Sequence, residues 1–314
     1  MNRLKLIAVL LLPTLCFGAT PIEFSPFMAS TAKPFFLTDW PARVVAHGGA
    51  LPSANSTNSV NIFYTHLVLT GLTNKLISVI GLCPESLIAA TVPIYFQDGY
   101  SMWTNVNFDI TNLTVNGLTG NLTNKSLLTG LFPSTMSAGG FTDISAGISI
   151  LIYSATNTSS AGNLEFGASG TAANSLWALQ HSSVGIAYYS WLAASVSAGF
   201  VIRQLPPPGT NWSGYISGNR TAADAIRIDL VTNGVMGVWT NGIGTVGGNN
   251  NNSITNSRGF ANYVPLSLGP GSWSDRTVSF IAIHGGLTFT ESSNLYQGVL
   301  MLRTNFGGGV PQAQ

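Results

Sequence analysis

The spacing of apolar residues changes once along the chain, near Thr91. From Val60 to Ile80 they recur about every three or four positions, which predicts an amphipathic helix that ends at Cys83-Pro84. Beyond Thr91, apolar and polar residues alternate, and turn-forming residues recur about every eight to twelve positions. The pattern therefore predicts a helical segment followed by a long series of β-strands.

The clearest strand signals lie in the middle of the chain. Ile148, Ile150 and Ile152 alternate with mixed residues, which is typical of a strand inside a sheet. Two further alternating runs, residues 226–230 and 235–238, are separated by an Asn-Gly pair. Asn-Gly is the strongest short signal for a β-hairpin, so these two runs are expected to pair with each other.

The end of the chain predicts one more strand and a closing helix. The run from Val278 to Ile283 has the composition of a strand. Thr288, with Glu291 three residues later, forms a capping box, and the apolar stripe that follows has helical spacing as far as Leu302. We expect a short C-terminal helix followed by a flexible tail at residues 307–314.

Residues 1–19 predict a secretory signal peptide. Arg3 and Lys5 precede an apolar run, Leu6–Leu12, and small residues follow up to Ala19. We therefore expect a secreted protein that is extracellular, periplasmic or at the cell surface. No later apolar run reaches the roughly 18–20 residues that a bilayer-spanning helix needs, so no membrane insertion is expected after signal removal.

Residues 20–57 are rich in proline and small polar residues and are interpreted as an irregular leader.

The remaining composition excludes some functions. Cys83 is the only cysteine beyond the signal, so no intramolecular disulfide is expected. The chain has a formal net charge of +1 and 7% charged residues. Without a basic surface it is not expected to bind nucleic acid.

The order of four segments resembles one known superfamily. The segments are Val115–Gly120, Lys125–Gly130, Gly218–Thr221 with the Asn233-Gly234 turn, and Ile281–Ile283 with the closing helix. They are similar to the concanavalin A-like, laminin G-like jelly-roll superfamily in its environmental bacterial secreted and phage-tail versions. The resemblance implies an all-β, two-sheet antiparallel jelly-roll sandwich at residues 99–306, with an N-terminal helical prefix at 58–98 and a short C-terminal helix. Such sandwiches host lectins, glycosidases, adhesion modules and spacers, so the fold alone defines no function.

No catalytic constellation is visible in the sequence. Glycosidases of this superfamily need two carboxylates close together on one strand, whereas the nearest pair, Asp224 and Asp229, is spaced for opposite faces. A serine hydrolase often shows a Gly-x-Ser-x-Gly elbow, which is absent. The histidines are isolated in sequence, and we interpret His66 as a residue of a helix surface and His284 as the end of a strand. We therefore expect that the protein is not an enzyme.

Glycan binding on such a sandwich uses an aromatic ring against the sugar and amides that bind its hydroxyls. Trp212, beside the Pro206–Gly209 loop, is the best candidate for an exposed platform. Tyr189 and Trp191 lie two positions apart on a predicted strand and must face the same side, although packing in the core is the alternative for both. The candidate amides, in an asparagine run, are Asn250 and Asn251.

Calcium is the one cofactor that the sequence allows. Asp143 and Asp224, together with the asparagine run at residues 249–252, are the plausible oxygen donors. Asp and Asn are also ordinary turn formers, which is the simpler interpretation of the same residues.

Two functions from different classes fit these observations. The first is a non-catalytic secreted carbohydrate-binding or adhesion module whose partner is a glycan or a cell surface. The alternative is a structural or interaction protein of a cell-surface or phage-tail-like assembly, in which the helical prefix docks a partner and no glycan binds. If Trp212 and residues 249–252 line one exposed depression, the first function is favoured. The sequence determines neither the ligand nor the oligomeric state.

Overall fold

The computed structural model describes most of the chain from Asp39 onward. The described residues are 39–82, 85–97, 102–121, 123–131, 138–142, 145–154, 163–169, 176–181, 187–195, 198–204, 213–222, 225–232, 234–240, 267–268 and 276–308. The predicted signal peptide, residues 1–19, lies outside this part of the chain.

Helices lie at both ends of the described chain, a short one lies between the first two strands, and the other strands follow it. The helices are α1 (Asp39–Ala46), α2 (Ala54–Leu69), α3 (Leu87–Thr91) and α4 (Phe289–Asn305). The strands are β1 (Leu76–Gly81), β2 (Tyr95–Phe96), β3 (Thr104–Val106), β4 (Leu113–Thr114), β5 (Gly117–Thr119), β6 (Ser126–Leu128), β7 (Ala146–Ser154), β8 (Asn163–Ser169), β9 (Leu176–His181), β10 (Ala187–Ser195), β11 (Ala198–Gln204), β12 (Gly214–Ala222), β13 (Ala225–Thr232), β14 (Val235–Thr240), β15 (Ser267–Leu268) and β16 (Thr277–His284). No helix in the described residues is long and apolar enough to cross a membrane.

The strands form two sheets. The first sheet has the order β14-β13-β12-β7-β16-β1-β2, with β5 pairing β16 and β4 pairing β5. The second sheet has the order β11-β10-β9-β8-β15-β6-β3. Neighbouring strands are antiparallel throughout the described residues. The expected mainly β fold of two antiparallel sheets is confirmed.

An apolar core lies between the two sheets. Ile148, Ile150 and Ile152 of β7 are fully buried in it, as the alternation along this strand predicts. On the side of the second sheet, the rings of Trp103 and Phe166 stack with their centroids 5.7 Å apart. Burial of each such side chain stabilises the fold by about 1.5–3 kcal/mol. The two sheets therefore pack as a sandwich.

Helices α2 and α4 cover the other face of the first sheet. Phe63 of α2 meets Phe280 of β16 edge to face, with ring centroids 5.9 Å apart. Tyr296 of α4 packs on Tyr215 of β12 at a centroid distance of 5.2 Å. The first sheet is thus covered on both faces, which explains why every residue of β1 and β16 is buried. The helices form a third layer rather than an appendage.

The helix expected from Val60 to Ile80 is wrong in its second half. α2 ends at Leu69, Gly71 adopts a left-handed φ of 72°, and the chain then enters β1, which lies between β16 and β2. A strand buried on both faces is apolar at nearly every position, so some of its residues match helical spacing as well. Spacing alone does not separate a central strand from a continued helix.

The two segments expected before the sandwich, at residues 20–57 and 58–98, also differ from the prediction. The first contains helices in its described part, and the second contains strands as well as helices. Residues 39–57, part of the leader expected at 20–57, contain α1 and the start of α2. The Ser53 hydroxyl caps α2 by accepting a backbone hydrogen bond at 3.1 Å. The prefix expected as helical at 58–98 contributes β1 and β2 to the first sheet. These residues are part of the sandwich and its helical layer.

Two predicted local motifs are confirmed. β13 and β14 form the expected hairpin, in which Thr232 pairs with Val235 and Gly234 has a φ of 74°. α4 begins with the expected capping box: the Thr288 hydroxyl accepts from the Glu291 amide at 3.3 Å, and the Glu291 carboxylate accepts from the Thr288 amide at 2.7 Å. Both motifs depend on residues close in sequence.

The first two residues of the tail expected at residues 307–314 are ordered, contrary to the prediction. The Gly308 amide donates to the Arg303 carbonyl at 3.0 Å. Gly308 is buried, and a Cβ at this position would lie 2.1 Å from the Arg303 guanidinium. Gly308 therefore packs on the end of α4, and residues 309–314 lie outside the described residues.

Candidate functional site

A group of buried polar side chains lies between the first sheet and α4. Ser149 of β7, Ser217 of β12 and His284 of β16 lie on neighbouring strands. The Ser149 hydroxyl is 2.8 Å from His284 Nε2 and 2.7 Å from the Ser217 hydroxyl. All three residues are 0% exposed. We call them the polar network, together with Tyr215, Asn219, Arg227 and Asp229.

The polar network continues into an ion pair on β13. Asn219 Nδ2 donates to the Ser217 hydroxyl and to Asp229 Oδ2, both at 2.9 Å. Arg227 donates to the same carboxylate through two nitrogens, at 2.6 and 2.8 Å. The Asp229 side chain is fully buried. Bidentate pairing compensates part of the free-energy cost of removing this carboxylate from water.

Backbone groups of the connection from β16 to α4 complete the polar network. Arg227 donates to the Leu287 carbonyl at 2.6 Å, and the Leu287 amide donates to Asn219 Oδ1 at 3.1 Å. His284 Nδ1 lies 2.7 Å from the Gly285 carbonyl oxygen. The network thus joins β7, β12, β13 and β16 to the segment that leads into α4.

The chemistry of the groups determines the direction of these hydrogen bonds. A carbonyl only accepts, so His284 Nδ1 carries the hydrogen that it donates to Gly285. Nε2 of the neutral imidazole is then an acceptor, and the Ser149 hydroxyl must donate to it. Ser149 in turn accepts from the Tyr215 hydroxyl at 3.0 Å and from Ser217 at 2.7 Å. The hydroxyl hydrogens therefore have defined acceptors.

Burial shifts the pKa of three side chains of the polar network, His284, Tyr215 and Asp229, in favour of their neutral forms. Desolvation lowers the pKa of His284 to about 4, against a smaller opposing effect of the Gly285 carbonyl. Desolvation also raises the pKa of Tyr215 and that of Asp229, and the bonds from Arg227 offset only part of the shift at Asp229. At neutral pH, His284 is the neutral imidazole that the hydrogen-bond directions require.

Ser149 and His284 are the residue types of a nucleophile and its general base, with the imidazole oriented by a backbone carbonyl. Both are fully buried beneath the helical layer, so a substrate does not reach them in this conformation. The interpretation of His284 as the end of a strand is confirmed. The pair could not be predicted from the sequence, because the two residues are far apart in the chain. The sequence signal was one serine at a helix-facing position of each of two otherwise apolar strands, Ser149 in β7 and Ser217 in β12.

A second polar group lies on the surface, in the loops that lead into β4 and β6. Asn121 Oδ1 accepts from the amides of Thr123 and Asn124, both at 3.1 Å, and so fixes the loop before β6. Asn107, which has a φ of 62°, donates from Nδ2 to the Asn124 carbonyl at 2.9 Å. This bond joins the two loops to each other.

An ion pair strengthens the same two loops. Lys125 Nζ lies 3.2 Å from Asp109 Oδ2 and also donates to Asn112. Hydrogen bonds from Thr111, followed by those from Lys125, lower the pKa of Asp109. We call these surface residues the amide cluster: Asn107, Asp109, Asn112, Asn121, Asn124 and Lys125.

The amide cluster presents polar groups to solvent on a fixed backbone. Asn107 and Asn124 are exposed, and within the described residues Asn107 Oδ1 and Asn124 Nδ2 have no hydrogen-bond partner. Asn107 Oδ1 can accept a hydrogen bond, and Asn124 Nδ2 can donate one. Because the loops are already ordered, binding of a polar ligand would cost little further conformational entropy. Sequence analysis missed this cluster, whose signal was the density of Asn and Thr residues.

The structure describes the backbone of two predicted ligand residues. Tyr189 and Trp191 lie on β10, an interior strand of the second sheet, where their Cα partners on β9 are Gln180 and Ala178. The expected strand is confirmed, with the two residues two positions apart. That their rings bind a ligand stays a prediction.

The other predicted site residues, Trp212, Asn250, Asn251, Asp143 and Asp224, lie outside the described residues. Their arrangement around one depression, and the calcium site, therefore stay predictions. Among the residues that the structure describes, no group of three His, Cys, Asp or Glu side chains is placed to hold a metal ion.

The chain matches no protein-family model and no curated protein. Its similarity to solved structures is weak. A Trypanosoma rangeli sialidase aligns with a TM-score of 0.44 and 14% identity over 74% of this chain and 33% of the sialidase. The botulinum neurotoxin serotype D binding domain aligns with a TM-score of 0.41 and 11% identity, over 72% and 52% of the two chains.

A protein of unknown function from Shewanella oneidensis MR-1 aligns with a TM-score of 0.33 and 11% identity, over 60% of this chain and 76% of that protein. The chain spans only about a third of the length of the sialidase. No conclusion about function follows from similarities of this strength.

Proposed function

We propose that the protein is a non-catalytic, secreted carbohydrate-binding or adhesion module on a concanavalin A-like, laminin G-like sandwich. The observation that carries this proposal is the exposed amide cluster. Asn107 and Asn124 present an acceptor and a donor from two loops that hydrogen bonds hold together. Sugar hydroxyls both donate and accept, so neighbouring hydroxyls are suitable partners for this pair.

Charge favours a neutral ligand over an ionic one. The one cation of the amide cluster, Lys125, is paired with Asp109 at 3.2 Å. The whole chain has a formal net charge of +1. A surface with so little net charge has only weak long-range attraction for charged ligands. Glycans that bind through hydroxyl groups fit this surface best.

The residues predicted from the sequence belong to the same proposal. Trp212, Tyr189 and Trp191 would stack on a sugar face, and Asn250 and Asn251 would bind its hydroxyls. Export by a signal peptide would bring the module to its partner outside the cell. In this proposal the buried Ser149–His284 pair takes no part in ligand binding, and the module catalyses no reaction.

A glycan array with the purified protein tests this function. The Asn124→Ala and Trp212→Ala variants are each expected to weaken binding by roughly 5–150-fold, which corresponds to a lost polar or stacking contact of about 1–3 kcal/mol. Asn58→Ala removes an exposed amide from α2 and is the matched control, with binding unchanged. An array on which the folded protein binds no glycan would refute the proposal.

The same array measured with calcium and with EDTA tests the proposed metal site. If Asp143 and Asp224 hold calcium, EDTA weakens binding, and the Asp143→Asn variant shows the same loss in the presence of calcium. Equal binding with calcium and with EDTA would remove calcium from the proposal and leave the amide cluster as the binding surface.

The alternative, a structural or interaction protein of a larger assembly, is favoured by one feature. Apolar side chains are exposed around α2, with Leu69 at 81% and Leu51 at 72%. Light scattering of the Leu69→Ser variant tests it, with Val235→Ser on β14 as the matched control. Assemblies that dissociate only in Leu69→Ser support this alternative, and a wild-type monomer at all concentrations contradicts it. Deleting the helical prefix that is expected to dock the partner would not be a suitable test, because residues 58–82 include β1 of the first sheet.

A further inference from the structure

Polar contacts hold the connection between β16 and α4 on the first sheet. His284 donates to Gly285, Arg227 donates to the Leu287 carbonyl, and Asn219 accepts from the Leu287 amide. Thr288, the N-cap of α4, is the next residue. Lys75 and Ser145 also hold this connection, through the Gly286 carbonyl at 3.0 Å and the Gly286 amide at 3.1 Å. Loss of the contacts of His284, Arg227 and Asn219 would therefore weaken the attachment at the start of the helix that covers this face of the sheet.

We propose that the polar network is an acid-sensitive switch, in which protonation of His284 opens the network and releases α4 from the first sheet. The added proton must bind Nε2, because Nδ1 already carries a hydrogen. The new hydrogen would then face the Ser149 hydroxyl hydrogen across 2.8 Å. Ser149 can avoid this contact only by turning its hydrogen toward Ser217, because Tyr215 already donates to its oxygen. The Ser217 oxygen would then accept from both Ser149 and Asn219, and the Ser217 hydroxyl hydrogen would lose its acceptor. Protonation therefore costs the closed arrangement a buried hydrogen bond.

The charged groups around His284 do not compensate for a positive charge on its imidazole. Lys75, which precedes β1, and Arg227 of β13 both disfavour the protonated imidazole. Glu291 of α4 favours it, but this carboxylate already pairs with Lys75 at 3.1 Å and caps its own helix. Asp229 of β13 is already bound by both donors of Arg227.

The other elements around His284 contribute no charge to it. β12 presents the neutral Tyr215, which has a raised pKa, and β7 presents Gly147 and Ser149, which do not titrate in this range. The nearby backbone acceptor, Gly285, is already used. The closed network therefore stabilises only the neutral imidazole.

The sign of the pH effect follows from proton linkage. The pKa of His284 is about 4 in the closed structure and 6.5 for an unburied histidine. The open form therefore binds the proton more tightly, and closure is complete above about pH 6.5. As the pH falls below 6.5, the equilibrium constant for release is expected to increase by up to about tenfold per pH unit, to roughly 150-fold at pH 4 and roughly 300-fold well below pH 4.

Hydrogen exchange of backbone amides between pH 7 and pH 4.5 tests the switch in the full chain. In the wild type, we expect the protection factors of α4 amides such as Leu302 to fall about tenfold per pH unit below 6.5, before those of Ile150 in β7. The His284→Gln variant, which cannot titrate, is expected to lose this dependence. His66→Gln is the matched control, because His66 also contacts α4, through the Asn294 carbonyl at 2.7 Å, and this variant should keep the dependence.

Two results would overturn the proposal: α4 protection that does not change with pH, or an equal pH dependence in His284→Gln and the wild type. If His284→Gln does not fold, the imidazole of wild-type His284 is titrated by NMR. Protonation that coincides with the loss of α4 protection supports the switch. Protonation while α4 stays protected refutes it.

Discussion

Gly147 and His284 face each other across the ladder between β7 and β16, so closely that a Cβ at residue 147 would lie 2.1 Å from Cε1 of the imidazole. Non-bonded carbon atoms do not approach to that distance without displacement of one of them. Glycine at position 147 therefore provides the space in which the imidazole bonds to Ser149.

We expect Gly147→Ala to destabilise the protein by about 1–3 kcal/mol, because the new methyl group overlaps the imidazole in a closely packed region. Urea unfolding at pH 7 measures the change. In the double variant with His284→Ala the overlap is absent, so the two effects should be less than additive. Strictly additive effects would show that the ring and the methyl group do not meet.

Asp229→Asn should destabilise the protein by about 3–5 kcal/mol, since it leaves the Arg227 guanidinium without its buried carboxylate. The matched control is Asp39→Asn, whose carboxylate pairs with Arg43 but is 44% exposed, so that about 1 kcal/mol or less is expected. Thermal and urea unfolding of both variants make the comparison. Similar losses at the two sites would contradict the buried pairing.

Thr288→Ala removes the hydroxyl of the capping box that begins α4 and should cost about 1 kcal/mol. Thr304→Ala, at an exposed position in the last turn of α4, should change the free energy of unfolding by less than about 0.5 kcal/mol. Chemical unfolding checks both values. Equal effects would mean that the capping bonds do not contribute to stability.

Tyr95 predicts a loss of stability at alkaline pH. Its hydroxyl donates to the Thr73 carbonyl at 2.7 Å, and desolvation raises its pKa from 10.0 to about 12. The unfolded chain therefore loses this proton first, and stability falls by about 2–3 kcal/mol as the pH rises from 10 to 12. The Tyr95→Phe variant should lose this part of the pH dependence in urea unfolding. An unchanged slope would assign the dependence to other groups.

The strands and motifs that could be predicted from sequence are those defined by neighbouring residues. The alternating isoleucines of β7, the Asn-Gly hairpin and the Thr288–Glu291 capping box each have a local cause, and each is observed. β1 was mistaken for helix because it is covered on both faces, which only its partners in the fold determine. Hence local patterns predicted the β architecture but not its three layers.

The polar network was not predictable in the same way. Ser149, Ser217 and His284 meet through strand register and strand order, neither of which is encoded in a short window of sequence. The amide cluster likewise depends on two loops that are joined by Asn107 and Asn124. Asparagine in a loop predicts a turn, and its partner becomes visible only when both loops are placed.

The pairing of β1 with β16 has a consequence for biosynthesis. Leu76 and His284 are register partners although β2 to β15 lie between them in the chain, so the apolar strand β1 is synthesised well before its partner β16. Contacts of such large sequence separation form slowly. Until β16 has been synthesised, the edge of β1 that pairs with it keeps unused backbone hydrogen-bonding groups, and binding of a chaperone to this edge would raise the yield of native protein.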